Sequence, residues 1–226
     1  MIKLCGNIFM CDDKGSVELL KIACHNNAYP EDMLVWEQGE FRAVIGMLDA
    51  DMIIYDNGAD YEELSEFINM ISPRWVFSAA STLEKLGLCG YKKAFAYRKD
   101  AKSLCERESD SLSSKEIYEL LNVPELELPE YPQFAVDICH RLNNGTAQYF
   151  AIKDKCAAVT LNTNNSCIMN GIASHQKGMG SLALAGVLSL NKDKTAFCVC
   201  REEVRGFYEK NGFEYMYDVG YWRKSS

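Results

Sequence analysis

Residues 167–187 have the sequence CIMNGIASHQKGMGSLALAGV, in which a strand-like apolar run meets a glycine pair that opens a helix. Residues 168–173 form a mostly apolar run with the length of a buried strand. One face of the helix that follows carries Leu182, Ala185, Gly186 and Leu190. The sequence therefore predicts a strand, a short turn and a helix in direct succession.

The turn, residues 175–181, contains two glycines, Gly178 and Gly180. Because glycine has no Cβ, the backbone can approach a ligand closely at both positions. The first N–H groups of a helix have no partner inside the helix and form the positive end of its dipole. With Lys177 beside them, these donors predict a site for a phosphate or pyrophosphate group.

Two kinds of cofactor fit such a turn. Gly178-x-Gly180-x-x-Ala183 satisfies a loose dinucleotide-binding pattern, with Glu202 at a suitable distance downstream. The alternative is coenzyme A. A doubly wound dinucleotide fold would continue with further strand–helix units. The chain instead continues with a predicted strand at 195–200, a helix at 202–213, and a terminal antiparallel pair of strands at 214–217 and 220–223.

This order resembles the GNAT superfamily of acyl-CoA-dependent N-acetyltransferases, and two motifs carry the resemblance. The family's pyrophosphate loop, (Arg or Gln)-x-x-Gly-x-(Gly or Ala), is matched by residues 175–180, HQKGMG. The family's F-Y-E-K-x-G-F helix end is matched by residues 207–213, FYEKNGF. The resemblance covers residues 133–222. It departs from the family at His175, the first position of the loop, and at Arg201, where an asparagine is common.

The resemblance implies a mixed α/β (α+β) fold, with a largely antiparallel twisted sheet flanked by helices. It also implies that Tyr208 is the general acid that protonates the departing coenzyme A thiolate. The cofactor would be acetyl-CoA, and the acceptor a primary amine of a small molecule or peptide, attacking directly in a ternary complex. The implied cofactor contacts are Ile172, Ala173, Ser174, His175, Gln176, Lys177, Gly178, Met179, Gly180, Ser181, Arg201 and Phe207. A non-catalytic acyl-CoA sensor and a nucleotide-binding oxidoreductase remain the alternatives.

Composition narrows the functional class. The 226 residues carry a formal charge of −8, which disfavours a nucleic-acid partner and is compatible with a cationic amine substrate. The ten cysteines lie mostly in apolar runs and include no C-x-x-C pair. They are therefore expected to be reduced, without metal or disulfides, in a cytoplasmic protein with no membrane segment and no signal peptide. A homodimer is an open alternative for its assembly.

The proposed organisation has an N-terminal α/β domain at 1–123, a linker at 124–132, and a C-terminal acetyltransferase domain at 133–226. Prolines at both ends of 124–132 predict an extended segment. In the first half, helices are predicted at 17–23 and 60–71, and strands at 43–48, 52–55, 75–78 and 93–97. This half resembles a degenerate second copy of the same fold, without a glycine pair. Either it completes the C-terminal domain or the two halves form a tandem pair.

Overall fold

The computed structural model describes residues 1–5, 15–101, 105 and 107–224. The strands are β1 Ile2–Leu4, β2 Leu34–Gln38, β3 Ala43–Leu48, β4 Asp51–Asp56, β5 Trp75–Ala79, β6 Lys92–Asp100, β7 Ala147–Ile152, β8 Cys156–Asn162, β9 Ser166–Ser174, β10 Thr195–Cys200 and β11 Glu214–Arg223. The helices are α1 Val17–Ala28, α2 Tyr61–Ile71, α3 Ala80–Lys85, α4 Ser114–Leu121, α5 Tyr131–Asn143, α6 Met179–Leu190 and α7 Arg205–Lys210. None of the described helices is long and apolar enough to cross a membrane.

The chain divides into two compact units. Unit 1 comprises Met1–Tyr97 together with Val199–Ser226, and unit 2 comprises Arg98–Cys198. This division differs from the proposed boundary at 124–132, because the last segment of the chain belongs to the unit built mainly from the N-terminal half. The pairing of β11 with β5 explains the difference, since it hydrogen-bonds the C-terminal segment into the sheet of unit 1.

In unit 1 the strands lie in the order β1-β2-β3-β4-β5-β11-β6. Strands β1 to β4 form antiparallel pairs, and β4 and β5 are parallel. Neighbouring residues of β3 point to opposite faces. Ile45 packs in the cluster that contains Leu64 and Ile68 of α2. A Cβ on Gly46 would meet Ile22 of α1 at 2.7 Å. Helices α1 and α2 therefore cover opposite faces of this sheet.

The predicted terminal hairpin is wrong, because residues 214–223 form the single strand β11. Gly220, expected at the start of the second strand of that hairpin, pairs with Ser78 in the β5–β11 ladder. A Cβ at this position would meet Tyr91 at 2.4 Å and Leu83 at 2.6 Å. The glycine is thus required for close packing across the strand.

In unit 2, β7, β8 and β9 form antiparallel pairs, and β10 is parallel to β9. Helix α6 packs on one face of these strands through Ala183 and Val187, which contact Phe150 and Ala158. Each unit therefore has a mixed, largely antiparallel sheet with helices against it, which confirms the predicted fold class. The antiparallel strands exclude the parallel, doubly wound sheet of a dinucleotide-binding domain.

Residues 124–132, expected as an extended linker, are helical at both ends. Pro124–Leu126 forms a 3₁₀ turn, and α5 begins at Tyr131. Pro132 lies in the first turn of α5, where a missing N–H costs nothing. Cys24, Cys156, Cys167, Cys198 and Cys200 are buried, whereas Cys89 and Cys139 are exposed rather than part of a core.

Candidate functional site

The start of α6 has no side-chain cap. Its N-cap residue is Gly178, which adopts a left-handed conformation with φ 84° and ψ −17°. By contrast, α4 in the same unit is capped by Ser113, whose Oγ accepts from the N–H of Glu116 at 3.3 Å. The N–H of Met179 donates to the carbonyl of Gln176 at 3.1 Å, while Gly178 has no side-chain oxygen that could accept from the next N–H groups. The first turn of α6 therefore presents donors that an anion can accept.

The space in front of this turn is open. A Cβ placed on Gly178 would have no heavy atom within 4 Å. Residues 174–178 are exposed, and they include Gln176 and Lys177, while Met179 and Gly180 are half-buried and Ser181 is exposed. The turn thus combines free volume, backbone donors and a lysine, which is the chemistry that holds a phosphate.

His175 holds the turn in place. Its backbone N–H donates to the carbonyl of Lys155 at 2.8 Å. Its Nε2 lies 2.9 Å from the carbonyl oxygen of Leu120 in α4, so this ring nitrogen is the donor. Two contacts therefore fix the residue that stands where the family has arginine or glutamine, and one of them uses its side chain.

Strands β9 and β10 pair only at their first residues. The parallel register joins Ser166–Ile168 to Thr195–Phe197, whereas β9 continues to Ser174. On its other side β9 stays paired with β8, through an irregularity between Val159 and Thr160. Beyond Ile168, the edge of β9 that faces β10 is not paired with a strand among the described residues. The implied contact residues Ile172, Ala173 and Ser174 lie in this last part of β9.

The other implied site residues lie in unit 1. Tyr208 is buried in α7, and its ring makes edge-on contacts with Phe207 and Phe213 at centroid distances of 5.2 and 5.4 Å. Phe207 is half-buried, and Arg201 is a half-exposed residue just before a 3₁₀ turn at Glu202–Val204. Each of the two motifs thus has its own structural setting, the turn before α6 in unit 2 and α7 in unit 1.

A network around Arg205, which the sequence did not predict, holds α7 on the strands of unit 1. The guanidinium carbon lies 4.3 Å from the ring centre of Phe95, and Nε donates to the Tyr97 hydroxyl at 2.9 Å. That hydroxyl donates to Glu209 at 2.7 Å, so the network contacts α7 at two of its turns. Burial raises the pKa of Tyr97, which keeps its hydroxyl protonated as a donor. No local pattern indicates these contacts, because β6 and α7 are more than a hundred residues apart.

Unit 1 repeats the strand–turn–helix arrangement between β4 and α2, but N–H groups of its turn donate to a side chain of the same turn. The Asp56 carboxylate accepts from the N–H groups of Gly58 and Ala59, both at 2.9 Å. Its second oxygen accepts from the hydroxyls of Tyr61 at 2.5 Å and Thr82 at 3.0 Å. Burial alone would raise the pKa of Asp56, but these hydrogen bonds outweigh it and the pKa is lowered. The donors of this turn are therefore already used by a carboxylate of the same chain.

In the part of the chain that is described, no three His, Cys, Asp or Glu side chains are grouped so that they could hold a metal ion.

No protein-family model and no curated protein matches the chain, but solved structures do. A GCN5-related N-acetyltransferase from Sphaerobacter thermophilus is similar with a TM-score of 0.57 and 11% identity, over 86% of this chain and 80% of that one. A tandem GNAT protein from the clavulanic acid biosynthesis pathway is similar with a TM-score of 0.52 and 8% identity, over 99% of this chain and 98% of that one. The chain is therefore a mixed α/β protein with an N-acyltransferase-like fold. This fold is the GNAT fold, as the two sequence motifs predicted.

Proposed function

We propose that the protein is an acetyl-CoA-dependent N-acetyltransferase that acetylates a primary amine. The observation that carries the proposal is the uncapped, open start of α6 behind Gly178. Among chemical groups of common cofactors, a pyrophosphate fits these donors best, since it brings negative charge to the positive end of a helix. The unpaired side of β9 would offer backbone groups to the pantetheine arm of the cofactor.

The proposal assigns one cofactor site to the chain, in unit 2. The equivalent turn of unit 1 does not support a second site, because the Asp56 carboxylate already accepts from its N–H groups. A phosphate placed there would meet a negative charge and would find those donors engaged.

The chemistry requires few groups from the protein. The amine loses a proton to a base or to solvent and attacks the thioester carbonyl, so that a C–N bond forms. The C–S bond then breaks, and the sulfur leaves as a thiolate that takes up a proton. Tyr208 is proposed as the donor of that proton, on the strength of its place in the FYEKNGF motif. Acetyl-CoA supplies the activated acyl group, and binding both substrates together provides proximity without a covalent enzyme intermediate.

The test is a panel of primary amines, each incubated with acetyl-CoA and the protein while free thiol is measured. Release that depends on both the amine and the protein is the expected result, and mass spectrometry would then show the acetylated amine. Binding of acetyl-CoA without turnover on any amine would instead support the non-catalytic sensor. No binding of any acyl-CoA would reject the proposed cofactor site.

A further inference from the structure

The face of the unit 2 sheet that lies under α6 changes from apolar to polar near the end of the helix. Phe150 and Ala158 are cross-strand partners on this face, and both pack against α6. Side chains two residues apart on a strand share a face. The next pair on the same face is therefore Gln148 and Thr160, and Asn162 follows Thr160.

Asn191, the residue that ends α6, reaches this polar group. Its Nδ2 donates to the Val187 carbonyl at 3.0 Å and to Thr160 Oγ1 at 3.2 Å. Thr160, Asn162 and Asn191 are 0%, 4% and 2% exposed. The four side chains Gln148, Thr160, Asn162 and Asn191, which we name the amide cluster, thus connect the C-terminal end of α6 to β7 and β8.

Most amide atoms of the cluster have no partner in the described structure. Oδ1 and Nδ2 of Asn162, Oδ1 of Asn191 and Oε1 of Gln148 are all buried and make no hydrogen bond. A buried polar group that lost its water without gaining a partner bears the full penalty of desolvation. Such groups are nearly always paired in folded proteins, and four unpaired atoms in one cluster therefore indicate a site for a molecule that can donate and accept hydrogen bonds.

The chemistry of these atoms identifies the ligand. Three oxygens require a donor and one Nδ2 requires an acceptor. One water can donate to two of these oxygens while it accepts from the Nδ2, and a second water would supply the donor for the third oxygen. The near-complete burial of Thr160, Asn162 and Asn191 leaves no entrance for a larger metabolite. Internal water is found where a small polar cavity offers two to four partners.

We propose that the amide cluster is an internal water site that fastens the last turn of α6 to the sheet. Water bridges Asn162 to Asn191 and Gln148, and Asn191 in turn holds the helix end through Thr160. The inference concerns the end of α6 opposite to the candidate cofactor turn, and it holds whether or not the chain binds acyl-CoA.

Whether the Asn162→Leu substitution lowers or raises the melting temperature tests the proposal. Asn162→Leu replaces the amide with an apolar group of nearly the same size and expels the water. In a hydrated cluster this leaves Asn191 and Gln148 without partners, so the variant melts at a lower temperature than the parent. In a dry cluster the substitution removes two unsatisfied atoms, so it melts at a higher temperature. The matched control is Asn164→Leu, in the exposed turn after β8, which should leave the melting temperature nearly unchanged.

A crystal structure of the parent protein provides the second measurement and remains decisive if the Leu variant fails to fold. The expected result is an ordered water within hydrogen-bond distance of the Asn162 and Asn191 side chains. An empty cluster in that map, or an equal or higher melting temperature for Asn162→Leu, would overturn the proposal.

Discussion

Gly178→Val tests whether the turn before α6 binds the proposed cofactor or is an ordinary helix start. Because Gly178 has φ 84°, any side chain there is strained, at a cost of about 1–2 kcal/mol for the left-handed conformation. The space around its Cβ position is open, so no clash with the protein adds to this cost. The valine side chain would instead fill the volume in which a pyrophosphate meets the N–H groups of α6. We therefore expect a folded, modestly destabilised protein that has lost acetyl-CoA binding.

The matched control is Gly145→Val in the same unit. Gly145 has φ 69° and, like Gly178, no heavy atom within 4 Å of a Cβ, but it follows α5 and lies outside the predicted cofactor turn. The two variants should lose similar stability without ligand. Acetyl-CoA at about 100 times its Kd should add about 2.7 kcal/mol to the parent and to Gly145→Val. A melting-temperature shift of the same size for Gly178→Val would refute the reasoning, and so would its loss in Gly145→Val alone.

Three further outcomes are expected. Tyr208→Phe keeps the ring packing but removes the proton donor, so turnover should fall roughly 10²–10⁴-fold with acetyl-CoA affinity unchanged; unchanged turnover on a verified amine would exclude the assigned role. Burial raises the pKa of Glu18 in the folded protein. The contribution of Glu18 to the free energy of unfolding is therefore most favourable at low pH and is lost as the pH rises through the raised pKa. The melting temperature of Glu18→Gln should therefore increase relative to that of the parent as the pH rises. A difference in melting temperature that does not change with pH would contradict this prediction. Gly220→Ala forces a methyl group against Tyr91 and should lower the free energy of unfolding, measured with denaturant, by about 1–3 kcal/mol. An unchanged free energy of unfolding would show that this position does not require glycine.

The strand, turn and helix around Gly178 could be predicted because their signals are local. An apolar run, a glycine and an amphipathic continuation determine β9 and α6 within about twenty residues. The capping box at Ser113 and Glu116 is equally local, and both of its hydrogen bonds are present. The fold class follows from such segments once their order along the chain is known.

The end of the chain was predicted less well because its structure depends on distant partners. Residues 214–223 contain a glycine, and sequence alone cannot distinguish a turn glycine from one that admits a neighbouring side chain. Gly220 is of the second kind, since Leu83 and Tyr91 fill the space that its side chain would need. The same dependence on distant residues explains why the sequence did not indicate the Arg205 network. It also explains why α7 and β11 were expected in the C-terminal domain, whereas they lie in unit 1.

The two strand–turn–helix segments show how one arrangement can serve two purposes. After β4, Asp56 accepts the N–H groups of its own turn, and Asp60 caps α2 by accepting from Glu63. After β9, the corresponding turn has no acidic side chain, and glycine occupies the cap position of α6. Helix starts need acceptors for their N–H groups, and a chain either supplies them or leaves them to solvent or a ligand. The aspartates accept hydrogen bonds from the N–H groups of the first turn, whereas Gly178 leaves the N–H groups of the second turn without a side-chain acceptor and accessible to an anion. Unit 2 is for this reason the better candidate for cofactor binding, although both units contain the same sequence of elements at this point.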